Sequence, residues 1–342
     1  MSREEMRRTA RALVAPGKGI LAADESSPTI EKRFQAIGVE STEENRRTYR
    51  DLLFTTPELG NYISGVILFD ETLRQSGSNS MPFTGILKKQ RIISGIKVDK
   101  GTKVLAGFPE DKITEGLDGL RERFAEYSKL GAQFSKWRAV FTVGVNIPGR
   151  TCLESNAEAL GRFAALSQEA GLVPIVEPEV LMDDDLPLER HLSVTEAALN
   201  AVFQALLRHK VQFEAMLLKP NMVVPGKGCL EQMSNEQIAD ATLACMLRHV
   251  PAMVPGIVFL SGGQSDVAAT ERLNEMNRRG KAPWELSFSY GRALQAPALS
   301  VWKGRAENIP AAQAALLHRA RCNSAARSGS YTTEMEKGRE RQ

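Results

Sequence analysis

This sequence predicts an α/β fold, and within that class a single-domain TIM (β/α)8 barrel, on three grounds. Short runs rich in Val, Ile, Leu and Phe recur along the chain, amphipathic helical stretches separate them, and eight such runs fit within 342 residues. A doubly wound sheet with a few extra strands satisfies the same count, so counting alone does not exclude it.

The first candidate strand, Gly19 to Asp24, follows a charged N-terminal stretch, Met1 to Arg11, that lacks the apolar segment of a signal peptide. Ile63 to Phe69 and Ile93 to Val98 are the second and third. Leu117, Leu120 and Phe124 then recur at helical spacing, and Gly131 sits where that helix should stop. After the fourth run, Ala132 to Arg138, a second stripe of Leu153, Ala157, Leu160 and Ala164 leads to Gly171 and the fifth run, Leu172 to Val180. Both stripes are assigned to core packing. Ser193 with Glu196 has the spacing of a capping box and predicts a helix start before the sixth run, Ala215 to Pro220. Ser234 with Gln237 predicts the next start, ahead of the seventh run, Gly256 to Gly263. A helix beginning near Ser265 should end at Gly280, and Glu285 to Arg292 is the eighth run. The segment after Cys322 is polar and aperiodic, so residues 1–322 are assigned to the barrel and 323–342 to a flexible C-terminal tail.

Composition narrows the function. Lys and Arg total 44 against 41 Asp and Glu, and this near balance gives no electrostatic case for a nucleic-acid partner or an acidic membrane. No uncharged apolar stretch is long enough to span a bilayer. Cys152, Cys229, Cys245 and Cys322 are scattered without a CxxC pair, which argues against a disulfide framework or thiolate metal site and favours a reducing cytoplasm. His191, His209, His249 and His318 fall in or beside helical stretches, so no histidine metal site is expected.

In a barrel the C-terminal strand ends share one mouth. Asp24, Lys97, Lys136, Arg138, Glu177, Glu179, Lys219, Ser261 and Ser289 occupy such ends here. Lys136 and Arg138 are two apart, as are Glu177 and Glu179, so each pair projects to one side of its strand. Lys219 closes the apolar run Phe213 to Leu218 and precedes Pro220. A lysine there either snorkels into solvent or, partly desolvated, becomes an amine able to attack a carbonyl. The convergence of charges favours the second, with Glu177 as proton shuttle, and repulsion among Lys97, Lys136 and Lys219 is expected to depress at least one ammonium pKa. Ser261, Gly262 and Gly263 before one helix, and Ser289, Gly291 and Arg292 at the last strand, have the makings of a phosphate cradle. The two Pro-Gly-Lys-Gly stretches, from Pro16 and from Pro225, lack P-loop spacing and are assigned to turns.

The segments Leu21 to Ser26, Gly95 to Gly101, Lys136-Trp137-Arg138, Val176 to Glu179, Leu218 to Asn221, Ser261 to Ser265 and Ser287 to Arg292 resemble, in order and spacing, those of class I fructose-bisphosphate aldolases. The likeness runs from about Arg11 to about Tyr331. It implies reversible, metal-independent cleavage of fructose 1,6-bisphosphate to dihydroxyacetone phosphate and glyceraldehyde 3-phosphate, in glycolysis and gluconeogenesis. The protein would be a lyase with no cofactor beyond the Schiff base on Lys219, and a homotetramer. Lys219 would attack the ketone, Glu177 would be the acid/base with Glu179 and Lys136, and Asp24 would take the C4 hydroxyl proton. Ser261, Gly262, Ser289, Gly291 and Arg292 would hold the C1 phosphate. Ser26, Thr29, Arg33, Lys97 and Arg138 would face the remaining sugar and its C6 phosphate, with Arg46 a further candidate. Animal members resemble one another in a C-terminal tyrosine, whereas the last tyrosine here is Tyr331. A related aldolase acting on another sugar phosphate, and a non-catalytic binding scaffold, are the alternatives.

Overall fold

The computed structural model describes residues 1–339. Ten strands are present among them: β1 (Gly19–Ala23), β2 (Ile63–Leu68), β3 (Ile93–Lys97), β4 (Thr102–Leu105), β5 (Phe108–Thr114), β6 (Phe134–Phe141), β7 (Val173–Val180), β8 (Leu217–Leu218), β9 (Gly256–Phe259) and β10 (Glu285–Tyr290). Eight of them close into a ring in the order β1-β10-β9-β8-β7-β6-β3-β2, while β4 and β5 form a separate antiparallel hairpin. Every pairing around the ring is parallel. The barrel expected from the sequence is therefore the fold observed, and the hairpin is an addition that the alternating pattern does not show.

Strand alternation divides the core in two. Ile20, Ala22, Ile67, Phe134, Val173, Ile175, Leu217 and Val258 fill the inside of the ring, and Met6, Ala10 and Leu13 from the first helix, Arg3–Leu13, with Val14 just after it, plug its N-terminal end. Leu21, Val66, Trp137, Val176, Leu218 and Phe259 face outward against the helices. Close approaches inside the ring require glycine, as two positions show. A Cβ on Gly95 would stand 2.2 Å from the Phe134 ring, and one on Gly256 would stand 2.6 Å from Val14.

Helix ends follow the local signals with one exception. Ser234 and Gln237 form the expected capping box, and Gly131, Gly171 and Gly280 adopt positive φ where helices stop. Ser193, however, lies inside the helix Leu188–Arg208, which starts after Pro187, and its hydroxyl donates back to the Arg190 carbonyl at 2.9 Å. β8 is shorter than the sixth predicted run because Phe213–Ala215 forms a 3-10 turn and Pro220 has no N–H to continue the ladder. Even so, the Lys219 N–H donates to the Val176 carbonyl at 2.8 Å, fixing that residue to the sheet.

The tail expected from residue 323 is structured as far as residue 339. The helix Ile309–Arg327 continues through that boundary, Tyr331 is buried, and Thr333–Arg339 forms a 3-10 segment. Glu336 takes both of its carboxylate oxygens to Arg319, which is fully buried. Residues 340–342 lie outside the described residues. Among the described residues no helix is long and apolar enough to cross a membrane.

Candidate active site

A cavity of about 970 Å³ opens at the C-terminal end of the ring, lined by every barrel strand end or its following loop. The inward parity of Phe134 carries to Lys136 and Arg138 on β6, and that of Val173 and Ile175 carries to Glu177 and Glu179 on β7. Thus the spacing by two brings both pairs into the mouth. Asp24, Ser26, Thr29, Arg33, Lys97, Lys219, Ser261, Gly262, Ser289, Gly291 and Arg292 join them on the same wall.

Two predicted residues lie elsewhere. Arg46 makes a bidentate pair with Glu71 at 2.8 and 2.6 Å and also donates to the Ser41 carbonyl, outside the cavity lining. Gly263 turns its back to the cavity, where a Cβ would stand 2.1 Å from Cε of Lys227.

The charged groups form a continuous chain. Nζ of Lys219 lies 3.1 Å from Oε1 of Glu177, whose Oε2 is 3.2 Å from Nζ of Lys136, which in turn lies 2.6 Å from Oδ2 of Asp24. All of these side chains are buried or nearly so. Burial pulls the Lys136 ammonium down, but Asp24, Glu177 and Asp99 outweigh it and hold the group well above its ordinary value. This is opposite to the expected depression where that lysine is concerned, because carboxylates stand 2.6 and 3.2 Å from its ammonium. Burial likewise pushes Asp24 up, yet Lys136, Lys219 and Lys97 overcome it and keep its carboxyl far below the usual range. The result is an ionised base facing an ionised ammonium in a site of low dielectric.

Around this chain, Arg138 donates from Nε to Glu179 at 2.5 Å, and Lys97 donates to the carboxylate of Asp99 at 2.6 Å. Arg138 is held above its ordinary value, since Glu179 and Glu177 overcome its burial. The buried polar atoms without a hydrogen-bond partner among the described residues include two at this site: Oε2 of Glu177, despite its nearness to Lys136, and the Ser289 hydroxyl. Both line the cavity, so a ligand can satisfy them. Arg292 donates from Nη2 to the carbonyls of Gly262 and Gln264 at 2.8 and 3.0 Å, tying the loop after β9 to the end of β10. Ser265 caps the helix Asp266–Arg278 directly behind that loop.

Sequence reasoning passed over Asp99 and Glu25. Asp99 receives Lys97 and the backbone N–H of Arg138. Its signal was available, since it lies two residues beyond Lys97 in the segment Gly95 to Gly101. Glu25 is buried and binds Arg33 nearby in sequence together with Arg50 and Gln295, which are too distant in sequence to be inferred.

A parallel barrel whose mouth gathers a buried lysine, its carboxylate partners and a loop-and-arginine anion cradle is a (β/α)8-barrel enzyme site. The family described as fructose-bisphosphate aldolase class-I matches residues 5–342. The chain is 55% identical over 332 residues to a probable fructose-bisphosphate aldolase class 1 of Xanthomonas campestris, covering 97% of this chain and 99% of that protein. It is 50% identical to a fructose-bisphosphate aldolase of Dictyostelium discoideum, covering 98% and 95% of the two chains. A solved structure of fructose-bisphosphate aldolase from Plasmodium falciparum, in complex with TRAP and a small-molecule inhibitor, superposes with a TM-score of 0.95 at 48% identity over 96% of this chain and 95% of that one. The chain belongs to the class I fructose-bisphosphate aldolase family, a family of lyases.

Proposed function

We propose that this chain cleaves fructose 1,6-bisphosphate reversibly to dihydroxyacetone phosphate and glyceraldehyde 3-phosphate through an imine on Lys219. The observation that carries the reading is the line of close ion pairs from Lys219 through Glu177 and Lys136 to Asp24, at 3.1, 3.2 and 2.6 Å.

Attack of the Lys219 amine on the C2 ketone gives a carbinolamine, and Glu177, in reach of the nitrogen, donates the proton with which water leaves. The protonated imine that remains is an electron sink. Asp24, ionised and at the end of β1, takes the C4 hydroxyl proton, the C3–C4 bond breaks, and its electrons pass into the imine to form an enamine. Glyceraldehyde 3-phosphate leaves. Protonation of the enamine carbon and hydrolysis of the imine then release dihydroxyacetone phosphate and return the free amine. The covalent imine fills the role that a metal Lewis acid fills in other carbonyl chemistry, so the reaction is metal-independent. Lys136 holds Asp24 and Glu177 in register, and Arg138 does the same for Glu179. Ser261, Gly262, Ser289, Gly291 and Arg292 bind the C1 phosphate, while Ser26, Thr29, Arg33, Lys97 and Arg138 face the rest of the sugar and the C6 phosphate, Arg33 from beside Gly291.

A homotetramer in the cytoplasm belongs to the same reading; four buried, unbridged cysteines suit a reducing compartment and so support its location. Curated relatives include a chloroplastic enzyme of Arabidopsis thaliana that is 51% identical, so members of the family work in more than one compartment. The deciding experiment is cleavage of the bisphosphate in excess EDTA, followed by borohydride trapping and peptide mapping. Turnover with the adduct on Lys219 is the expected result. No turnover and no adduct would leave a binding scaffold or a different sugar phosphate.

A further inference from the structure

Behind the cavity wall lies a buried polar cluster that none of the chemical steps above uses. We infer that Gln295 is a positioning residue for the phosphate wall: together with Arg50 it fixes Glu25, and Glu25 fixes the guanidinium of Arg33 beside Gly291. The inference rests on the reading of the site as a sugar-phosphate site.

Gln295 is 1% exposed and lies one turn beyond Arg292 in the helix Arg292–Trp302. Its Nε2 donates to the Ala22 carbonyl on β1 at 2.6 Å and to Oε1 of Glu25 at 2.8 Å. Its Oε1 accepts from the Tyr49 hydroxyl at 3.1 Å and from Nη1 of Arg50 at 3.4 Å. A primary amide offers two donors at one end and an acceptor for two donors at the other, which is what these four partners need. One side chain therefore ties β1, which ends beside Asp24, to the helix that begins with Arg292.

Glu25 completes the link. Its carboxylate takes Nη2 of Arg50 at 2.6 Å, Nε2 of Gln295 and Nη1 of Arg33. Burial pushes this carboxyl up, but Arg33 and Arg50 outweigh it and keep it ionised, below its ordinary value. Burial also drives the Tyr49 hydroxyl well up, so it stays a donor to Gln295. Of these side chains Arg33 and Glu25 reach the cavity lining. With Nη1 committed to Glu25, Nη2 of Arg33 lies 3.8 Å from where a Cβ on Gly291 would stand. That places its N–H edge beside the cradle that Arg292 closes from the other side.

A buried ionic network is a weak source of stability, since apolar replacements of similar volume are often neutral. Its value here lies in orientation: a guanidinium has a fixed fork of donors, and holding one edge sets the direction of the other.

The test is calorimetric binding of inorganic phosphate to the full chain and to Gln295→Met, Arg33→Met and the double variant, with thermal melts of each. Gln295→Met is expected to weaken phosphate binding about tenfold, the scale of one charge-assisted contact, and to raise KM while kcat changes little. The double variant should bind phosphate no more weakly than Arg33→Met alone, because both act through one guanidinium. A lowered Tm with unchanged phosphate affinity in Gln295→Met, or multiplicative losses in the double variant, would overturn the inference.

Gln295→Glu gives an independent readout should the methionine variant fold poorly. The new side chain faces Glu25, Tyr49, Arg50 and the Ala22 carbonyl, with Arg33 beyond Glu25. Protonated at about pH 5.5 it can still donate to one acceptor, whereas at about pH 8 its carboxylate opposes that of Glu25. Phosphate affinity relative to wild type should therefore fall between those two pH values, and a constant ratio would refute the assignment. Phosphate binding is read without turnover. Failure of the wild-type chain to form the Lys219 adduct would thus overturn the proposed function, while normal adduct formation with unaltered phosphate affinity in Gln295→Met would overturn only this inference.

Discussion

Replacing Lys136 by methionine keeps the volume of the side chain and removes a charge that two carboxylates depend on. Nζ of Lys136 is 2.6 Å from Asp24 and 3.2 Å from Glu177, and its side chain is 4% exposed. Deleting one partner of a buried pair costs about 3–5 kcal/mol, because the survivor is left charged and uncompensated. Glu177 keeps Lys219 at 3.1 Å, so Asp24 carries most of the loss and the lower end, about 3 kcal/mol at neutral pH, is expected. The dependence on pH has a definite sign. In the wild-type protein the depressed Asp24 contributes stability above its unfolded value of about 4, lost only as pH falls through its folded value. Lys136, raised in the fold, contributes below its unfolded value of about 10.4 and loses that contribution only at higher pH. Neither group therefore tilts wild-type stability between about pH 5 and about pH 9. In Lys136→Met the buried Asp24 carboxyl should titrate above its unfolded value, so acidification restores stability, by up to about 1.4 kcal/mol per pH unit. Urea unfolding at fixed protein concentration, at about pH 5 and about pH 7.5, measures both effects. A loss under about 1 kcal/mol that does not change with pH would refute the reasoning.

Lys219→Met should fold normally and give neither cleavage nor a borohydride adduct, and residual turnover near the wild-type rate would remove the imine from the mechanism. Arg292→Ala should weaken phosphate binding by about 2 kcal/mol, seen as a rise in the phosphate inhibition constant, and an unchanged constant would take Arg292 out of the site. Glu336→Gln leaves Arg319 buried with a neutral partner and should lower stability by about 2 kcal/mol in urea unfolding; an effect near zero would mean that the C-terminal segment does not clasp the barrel.

The ring of strands was legible because each run is apolar, short and followed by a helix, and the inward pairs were legible because a period of two admits one assignment of faces. Lys136 with Arg138, and Glu177 with Glu179, entered the mouth for that reason. What escaped depends on distant partners. Glu25 reads as one more acid beside Asp24 until the fold brings Arg50 and Gln295 against it. Ser193 has the spacing of a capping box, but a serine inside a helix can satisfy itself on the preceding turn, so spacing alone could not place the start. Arg46 was drawn toward the site by resemblance and is claimed by Glu71, on a segment whose approach no local pattern announces. The tail looked featureless because Glu336 and Tyr331 gain their meaning only from Arg319, with which Glu336 pairs and whose partner Glu336 also receives the Tyr331 hydroxyl.

Arg327 sets an order on how this molecule comes into being. Buried in the last long helix, it donates to the carbonyls of Val14, at 3.0 Å across a separation of 313 residues, and of Lys18 at 2.7 Å. During synthesis those carbonyls are made near the start and their guanidinium near the end. The plug and the first strand therefore emerge long before the group that pins the turn between them, and these contacts wait until residue 327 has been made. Once formed, the turn after the first helix and the last long helix are stitched together, so the barrel has its seam fastened from outside the ring of strands.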